Sequence, residues 1–171
     1  MGTLKICKEL VKVLENKQIQ VELYSIENFK YFDILKFDTL IIGASIRYGK
    51  HKSSITKFII ENKAVLKKIN TAFFSVNLVA RKKEKSFVHT NPYLIKFLKN
   101  VNWAPDIVDV FAGKLDYGKY SFIDKMMIKL IMLMTQGPTK SSVTIEYTDW
   151  NRVKEFGKRV RTLNLTKKLI S

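Results

Sequence analysis

"IIGASIRYGKHKSS" (residues 41–54) joins the end of an apolar segment to a loop that is rich in small and basic residues. The apolar run begins at residue 37, and a continuous run of this kind is typical of a strand in a parallel sheet that is covered on both faces. Gly43 and Gly49 flank Arg47 and Tyr48. Because glycine lets the backbone approach a ligand closely, the segment predicts a binding loop at the end of a central strand.

Strand and helix patterns alternate on both sides of this segment, which predicts an open, parallel α/β sheet with helices on both faces. Helices are predicted at residues 4–16, 54–69, 92–101, 120–136 and 150–163, and strands at 19–26, 37–46, 71–80, 106–117 and 142–150. Pro92 suits the first turn of a helix, and Asp149 is placed to cap the closing helix.

Length and composition favour one domain, residues 1–171, with a sizeable core, since 46% of the residues are hydrophobic. Cys7 is the single cysteine, so the chain can form no internal disulfide and no cysteine-based zinc site. No segment has the form of a signal peptide or the roughly 20 apolar residues that span a bilayer. We therefore expect a protein on the cytoplasmic side of the membrane.

The formal net charge of +16 has two open explanations. Of the 31 basic residues, 26 are lysine, so a biased coding composition could have raised the charge. The alternative is an anionic partner, such as an acidic membrane surface or a small anion. The chain shows no zinc-ligand set, aromatic RNA-binding motif or clear helix-turn-helix, so nucleic acid is not an expected partner.

A second loop of the same character follows the next predicted strand, in FFSVNLVARKKEK (residues 73–85). Ser75 and Asn77 are followed there by Arg81 and Lys82. The carboxyl ends of adjacent parallel strands meet at one edge of a sheet, so the two loops could form a cleft for a flat, anionic molecule. An ordinary turn and solvated lysines remain the alternative. The histidines, His51 and His89, are expected at the surface and not as proton shuttles.

Four blocks resemble, in order and spacing, the quinone-dependent protoporphyrinogen IX dehydrogenases of bacteria. They are IIGASIRYG (41–49), FFSVNLVARKKEK (73–85), FIDKMMIKLIM (122–132) and YTDW (147–150). The resemblance implies a flavodoxin-like sheet of order 2-1-3-4-5 with a helical insertion near the last strand. It also implies FMN as cofactor and oxidation of protoporphyrinogen IX to protoporphyrin IX in haem biosynthesis, with electrons passed to a membrane quinone, menaquinone or ubiquinone.

The resemblance further implies the residues of the site. No catalytic acid or base and no metal ligand are expected, because FMN carries the chemistry. Arg47, Arg81 and Lys82 are hypothesised to pair with the substrate's propionates or the FMN phosphate. The predicted cofactor-binding residues are Thr3, Ser45, Ile46, Arg47, Tyr48, Gly49, Ser75, Val76, Asn77, Leu78, Val79, Ala80 and Arg81.

The beginning of the chain departs from the family pattern. In the family a first strand and a phosphate loop precede the first helix, whereas here Met1-Gly2-Thr3 leads directly into it. Of the phosphate cradle only Thr3 and the first N–H groups of the helix are expected to remain. Without a central strand, each buried backbone group left unpaired costs about 1–3 kcal/mol, and a groove is expected in the core.

The insertion, residues 118–140, contains a helix pattern that is apolar around most of its circumference. We expect it to lie in the membrane interface as a peripheral anchor on the inner membrane, with a buried core helix or an oligomer interface as alternatives. Alternative functions are a soluble flavodoxin-like electron carrier or quinone reductase, and a non-catalytic basic relic that binds membrane or nucleic acid. The predicted membrane or quinone contacts are Phe122, Ile123, Met126, Met127, Leu130, Ile131 and Met134.

Overall fold

The computed structural model describes residues 2–31, 33–116 and 144–170 and shows helices and strands in alternation. The side chains of residues 29–31, 115, 116, 144 and 166–170 are not part of this description. The helices are α1 (Gly2–Leu14), α2 (Ser53–Glu61), α3 (Lys63–Leu66), α4 (Pro92–Val101) and α5 (Trp150–Ile170). The strands are β1 (Thr39–Arg47), β2 (Lys50–His51), β3 (Asn70–Val76), β4 (Ile107–Phe111), β5 (Lys114–Asp116) and β6 (Thr144–Glu146).

Four strands form an open sheet in the order β2-β1-β3-β4. β1 and β4 both run parallel to β3, which is buried at every position, while β2 folds back antiparallel to the end of β1. The predicted open α/β sheet is thus confirmed. β5 and β6 form a separate antiparallel pair.

Two apolar layers hold the helices on opposite faces of this sheet. Phe73 packs with residues of α2 and α4 and with Trp103 on one face. The next residue, Phe74, packs with residues of α1 and α5 on the other, where Trp150 is partly buried. Gly43 makes room for Phe74, since an added Cβ would lie 2.2 Å from the ring carbon Cζ. Alternate side chains of one strand therefore join both layers.

The predicted helix starts at residues 92 and 150 are confirmed. The Asn91 side chain accepts a hydrogen bond from the Leu94 backbone N–H, and Pro92 occupies the first turn of α4. The Asp149 carboxylate accepts in the same way from the Arg152 N–H, at 3.1 Å. Both signals are local in the sequence, which is why they could be predicted.

Several predicted boundaries are wrong. The helix predicted at 54–69 is divided into α2 and α3 at Asn62, and the strand predicted at 106–117 is divided into β4 and β5 by a turn at Gly113, whose φ is 76°. The strand predicted at 71–80 ends at Val76, and a 3₁₀ turn, Leu78–Arg81, follows. The helix predicted at 120–136 lies outside the described residues.

No strand forms at residues 19–26, where one was predicted; Ile26–Tyr31 is a 3₁₀ turn instead. A strand needs a hydrogen-bonded neighbour. A groove of about 700 Å³ is lined by residues 17–24, by Thr39, Leu40 and Ile41 of β1, and by residues of α1 and α5. Among the described residues, Thr39–Ser45 pair as a strand with β3 alone. A groove is thus present beside β1, as predicted.

Two further features bear on function. In the described part of the chain, no helix combines the length and the apolar character that crossing a bilayer requires. Nor do the described histidine, cysteine and carboxylate side chains come together in a group of three or more that could hold a metal ion.

Candidate functional site

The first loop is a tight two-residue hairpin that joins β1 to β2. Arg47 pairs with Lys50, and the two residues between them have positive φ, 50° for Tyr48 and 76° for Gly49. Two left-handed residues in succession are the mark of a type I′ turn, whose twist matches that of the flanking strands. Arg47 is exposed, and the Tyr48 side chain is 54% exposed. The backbone of the turn thus presents both side chains at the carboxyl end of β1.

The second loop, residues 78–90, leaves the neighbouring strand β3 and is built on side-chain hydrogen bonds. The Asn77 side chain accepts from the Ala80 N–H at 3.2 Å and so caps the turn Leu78–Arg81. Arg81 ends this turn, and its Nη1 donates to the Leu78 carbonyl oxygen at 3.2 Å. Ser45 of β1 is the register partner of Val76 of β3, so the two loops start side by side at one edge of the sheet.

His51 of β2, which follows the first loop directly, contacts strand β3 and helix α4. Its Nε2 lies 3.0 Å from the Ser75 hydroxyl oxygen, and its ring centroid lies 4.2 Å from that of Phe97. The prediction that His51 is a surface residue is wrong, since the residue is 6% exposed, whereas His89 is exposed as predicted. The Tyr48-Gly49 turn signal could have corrected it, because a two-residue hairpin returns residue 51 to the sheet. Burial lowers the pKa of His51 to about 4.

Asn91, which sequence reasoning did not include in the site, closes the second loop at its base. The Asn91 Nδ2 donates to Asn77 Oδ1 at 3.1 Å, and the Asn77 Nδ2 donates to Asn91 Oδ1 at 3.3 Å. Both residues are buried. The two residues are 14 positions apart, and the sequence between them carries no local signal for this pairing, although Asn91 can be recognised as a helix cap.

Arg152 of α5 also supports the second loop, and sequence reasoning did not include it in the site. Arg152 Nη1 donates to the Ser86 carbonyl oxygen at 2.6 Å. Its other terminal nitrogen pairs with the buried carboxylate of Asp109, which also receives Arg159 Nη2 at 2.6 Å. The closing helix, strand β4 and the second loop are joined in this way.

The start of α1 lies at the same edge of the sheet. A Cβ built on Gly2 would lie 3.6 Å from the backbone nitrogen of Lys114, which follows β4, and 3.9 Å from the side chain of Val76, the last residue of β3. The hydroxyl oxygen of Thr3 is buried and has no hydrogen-bond partner in the described structure. A helix start supplies free backbone N–H groups and a positive end of the helix dipole, which together favour an anion.

The predicted cofactor-binding residues therefore come from three segments at this edge. Arg47, Tyr48 and Gly49 are exposed; Thr3, Ser45, Ile46, Leu78 and Arg81 are partly buried; and Ser75, Val76, Asn77, Val79 and Ala80 are buried. Lys82, predicted to bind the substrate, is partly buried as well. Ser75 and Asn77 engage their side chains within the protein. The predicted membrane and quinone contacts, Phe122 to Met134, lie outside the described residues.

Comparison with known proteins gives one matching domain family and several similar proteins. The flavodoxin domain model matches residues 2–142. A protoporphyrinogen IX dehydrogenase (quinone) of Escherichia coli strain K12 is 39% identical over 161 residues, which are 94% of this chain and 89% of that protein. A protein of the same name from Leishmania major is 35% identical over 154 residues, covering 90% of this chain and 67% of that protein. No solved structure matches the chain.

The flavodoxin domain implies that the protein binds a flavin. Identity above one third extends over nearly the whole chain and includes both loops. The chain therefore belongs to the flavodoxin-domain family of quinone-dependent protoporphyrinogen IX dehydrogenases.

Proposed function

We propose that the protein oxidises protoporphyrinogen IX to protoporphyrin IX, with FMN as its cofactor and a membrane quinone as the electron acceptor. The observation that carries this proposal is the coverage of the similarity, because the relatives named for this reaction match 94% and 90% of the chain. The supporting geometry is the meeting of three segments at the carboxyl edge of the sheet, where open α/β sheets bind their ligands.

The residues at this edge fit FMN. Thr3 has a buried hydroxyl without a partner beside the start of α1, which suits the phosphate. The exposed aromatic ring of Tyr48 would lie against the flat isoalloxazine, and backbone groups of the turn Leu78–Arg81 would bind its polar atoms. Arg47, Arg81 and Lys82 would pair with the anionic groups of cofactor and substrate.

When bound, FMN would supply the redox chemistry by accepting electrons from the porphyrinogen and passing them to the quinone. The protein needs only to orient the partners and limit the access of water. His51 is held neutral by burial, and the pKa lowered to about 4 keeps it so at cellular pH. This fits a supporting role for His51 and not one in moving protons.

Flavin titration tests the cofactor, and a coupled assay tests the reaction. FMN fluorescence is followed as the 171-residue chain is added, with riboflavin as the control that lacks the phosphate. Porphyrin fluorescence is then followed with protoporphyrinogen IX, with and without quinone. Porphyrin formation that requires both protein and quinone is expected. Tight FMN binding with quinone reduction by an added nicotinamide donor, NADH or NADPH, in the absence of protoporphyrinogen would indicate a quinone reductase instead.

Replacing both arginines tests the anion contacts. We expect Arg47→Gln with Arg81→Gln to raise the KM for protoporphyrinogen IX or the Kd for FMN at least about tenfold, since even one hydrogen bond to a charged group contributes about 1.5–3 kcal/mol. The matched control is Lys67→Gln with Lys99→Gln, which removes the same charge from exposed positions, one directly after α3 and one on α4. Unchanged constants in the arginine variant would contradict the assignment.

We also propose that the protein binds peripherally to the cytoplasmic face of the inner membrane, through residues 118–140 and its positive charge. The support is the apolar pattern of that segment and the net charge of +16. Sedimentation with anionic and with neutral lipid vesicles tests it. Binding to anionic vesicles that weakens with salt is expected, and equal recovery in the supernatant with both would contradict the proposal.

A further inference from the structure

We propose that Asn77 and Asn91 are positioning residues whose paired side-chain amides close the base of the loop 78–90 and hold its basic residues at the carboxyl edge. The loop carries Arg81, Lys82, Lys83 and Lys85 between these two buried asparagines. The inference rests on the proposed function in one respect, namely that a flavin or an anionic substrate meets this loop.

Every hydrogen-bonding group of the pair is engaged. The Asn77 Nδ2 donates to Ser75 Oγ and to Asn91 Oδ1, both at 3.3 Å. The Asn91 Nδ2 donates to Asn77 Oδ1 at 3.1 Å and to the Lys85 carbonyl oxygen at 2.9 Å. The two Oδ1 atoms also accept from the backbone N–H groups of Ala80 and Leu94, both at 3.2 Å. No amide hydrogen is left over, which also fixes which side-chain atom is nitrogen and which is oxygen.

These bonds fix the loop at both of its ends and at one point within it. Asn77 holds the turn that ends at Arg81, and Asn91 holds the carbonyl of Lys85 while it caps α4. Closing a loop of this length costs conformational entropy, and buried hydrogen bonds offset that cost. Without the pair, the four basic side chains would sample many positions, so an anion that binds them would have to order the loop.

Asn91→Asp separates this role from simple capping. The carboxylate still accepts from the Leu94 N–H at a helix start, where negative charge is favourable, but it cannot donate to Asn77 or Lys85. Asn91→Ser, which keeps a capping oxygen without a buried charge, serves if the first variant fails to fold. Asn62→Asp is the matched control, because Asn62 Nδ2 donates to the Phe58 carbonyl at 2.8 Å at the far end of α2.

The rate of trypsin cleavage measures how accessible the loop is, and FMN fluorescence measures the effect of the loop on FMN binding. Losing two hydrogen bonds of about 0.5–1.5 kcal/mol each corresponds to roughly tenfold or more. We therefore expect the rate of cleavage after Arg81, Lys82, Lys83 or Lys85 to be about tenfold higher in Asn91→Asp than in Asn62→Asp, with the cleavage sites mapped by mass spectrometry. We expect the FMN Kd to be about tenfold higher as well. The comparison uses conditions in which both variants are equally folded by circular dichroism.

If the cleavage rate of Asn91→Asp lies within twofold of that of Asn62→Asp, the proposal is overturned, because two asparagines with only a general structural role would raise the cleavage rate alike when replaced. Faster cleavage together with an unchanged FMN Kd would overturn it as well, since the loop would then be held for no ligand. If the wild-type chain binds no FMN, the proposed function fails, while the cleavage comparison still decides whether the pair holds the loop.

Discussion

The two loops at the carboxyl edge reach similar positions by different means. The first is shaped by its backbone, as Tyr48 and Gly49 adopt left-handed conformations in a two-residue hairpin. The second is held by side chains, through the Asn77–Asn91 pair at its base and Arg152 at Ser86. A short loop has few conformations to exclude, whereas a loop of more than ten residues needs tertiary hydrogen bonds. The two should therefore fail under different changes.

The largest effect is expected from Asp109, which holds the arginine that supports the second loop. Its side chain is 6% exposed and that of Arg152 is 28% exposed, so Asp109→Ala would leave a partly buried guanidinium without its carboxylate. Losing one partner of such a pair lowers the free energy of unfolding by about 3–5 kcal/mol when both partners are buried, and we expect the lower part of that range here. Urea unfolding measures the change.

Glu155→Ala is the control for this prediction, because it removes an exposed ion pair of the same helix, Lys158 with Glu155. Such a surface pair contributes about 0–1 kcal/mol. Equal stability of the two variants would mean that Asp109 contributes nothing beyond an ordinary surface charge.

Acid should have the next largest effect, through the buried His51 that follows the first loop. Burial lowers the pKa of His51 to about 4, against an ordinary 6.5. Above pH 6.5 the imidazole is neutral in folded and unfolded chains alike, so His51 does not lower the free energy of unfolding there. As the pH falls towards 4, the unfolded chain takes up the proton first, and the free energy of unfolding falls by about 3 kcal/mol.

Urea midpoints measured between pH 7 and pH 4 check this dependence. His51→Gln should lose this part of the slope, and His89→Gln, at an exposed position, should keep it. An identical slope in the wild type and in both variants would show that other groups cause the acid sensitivity.

The smallest effect is expected in the first loop. Gly49→Ala would place a Cβ on a residue with a φ of 76°, which costs about 1–2 kcal/mol. Lys50→Ala, at the exposed neighbouring position, should change the free energy of unfolding by less than about 0.5 kcal/mol. Thermal unfolding of both variants measures the difference. A Gly49→Ala midpoint equal to that of Lys50→Ala would mean that the turn changes its conformation without cost.

Sequence reasoning identified features that depend on a few neighbouring residues. The helix starts at Pro92 and Trp150 and the strand β1 were predicted from caps and apolar runs, although only Ile42 and Ala44 of β1 are buried, and the motif resemblance identified the family. Sequence reasoning failed where contacts between distant segments determine the local structure. Residues 19–26, for example, have strand character but no strand partner in the described structure. The burial of His51 and the pairing of Asn77 with Asn91 depend on the same kind of distant contact.

The two layers of the fold also differ in a way that serves spectroscopy. The protein has two tryptophans, and each layer holds one of them, Trp103 beside Phe73 and Trp150 at the layer around Phe74. Each face of the sheet therefore carries its own intrinsic fluorophore. Replacing one tryptophan at a time by phenylalanine turns the emission into a report on the opposite face, without any external label.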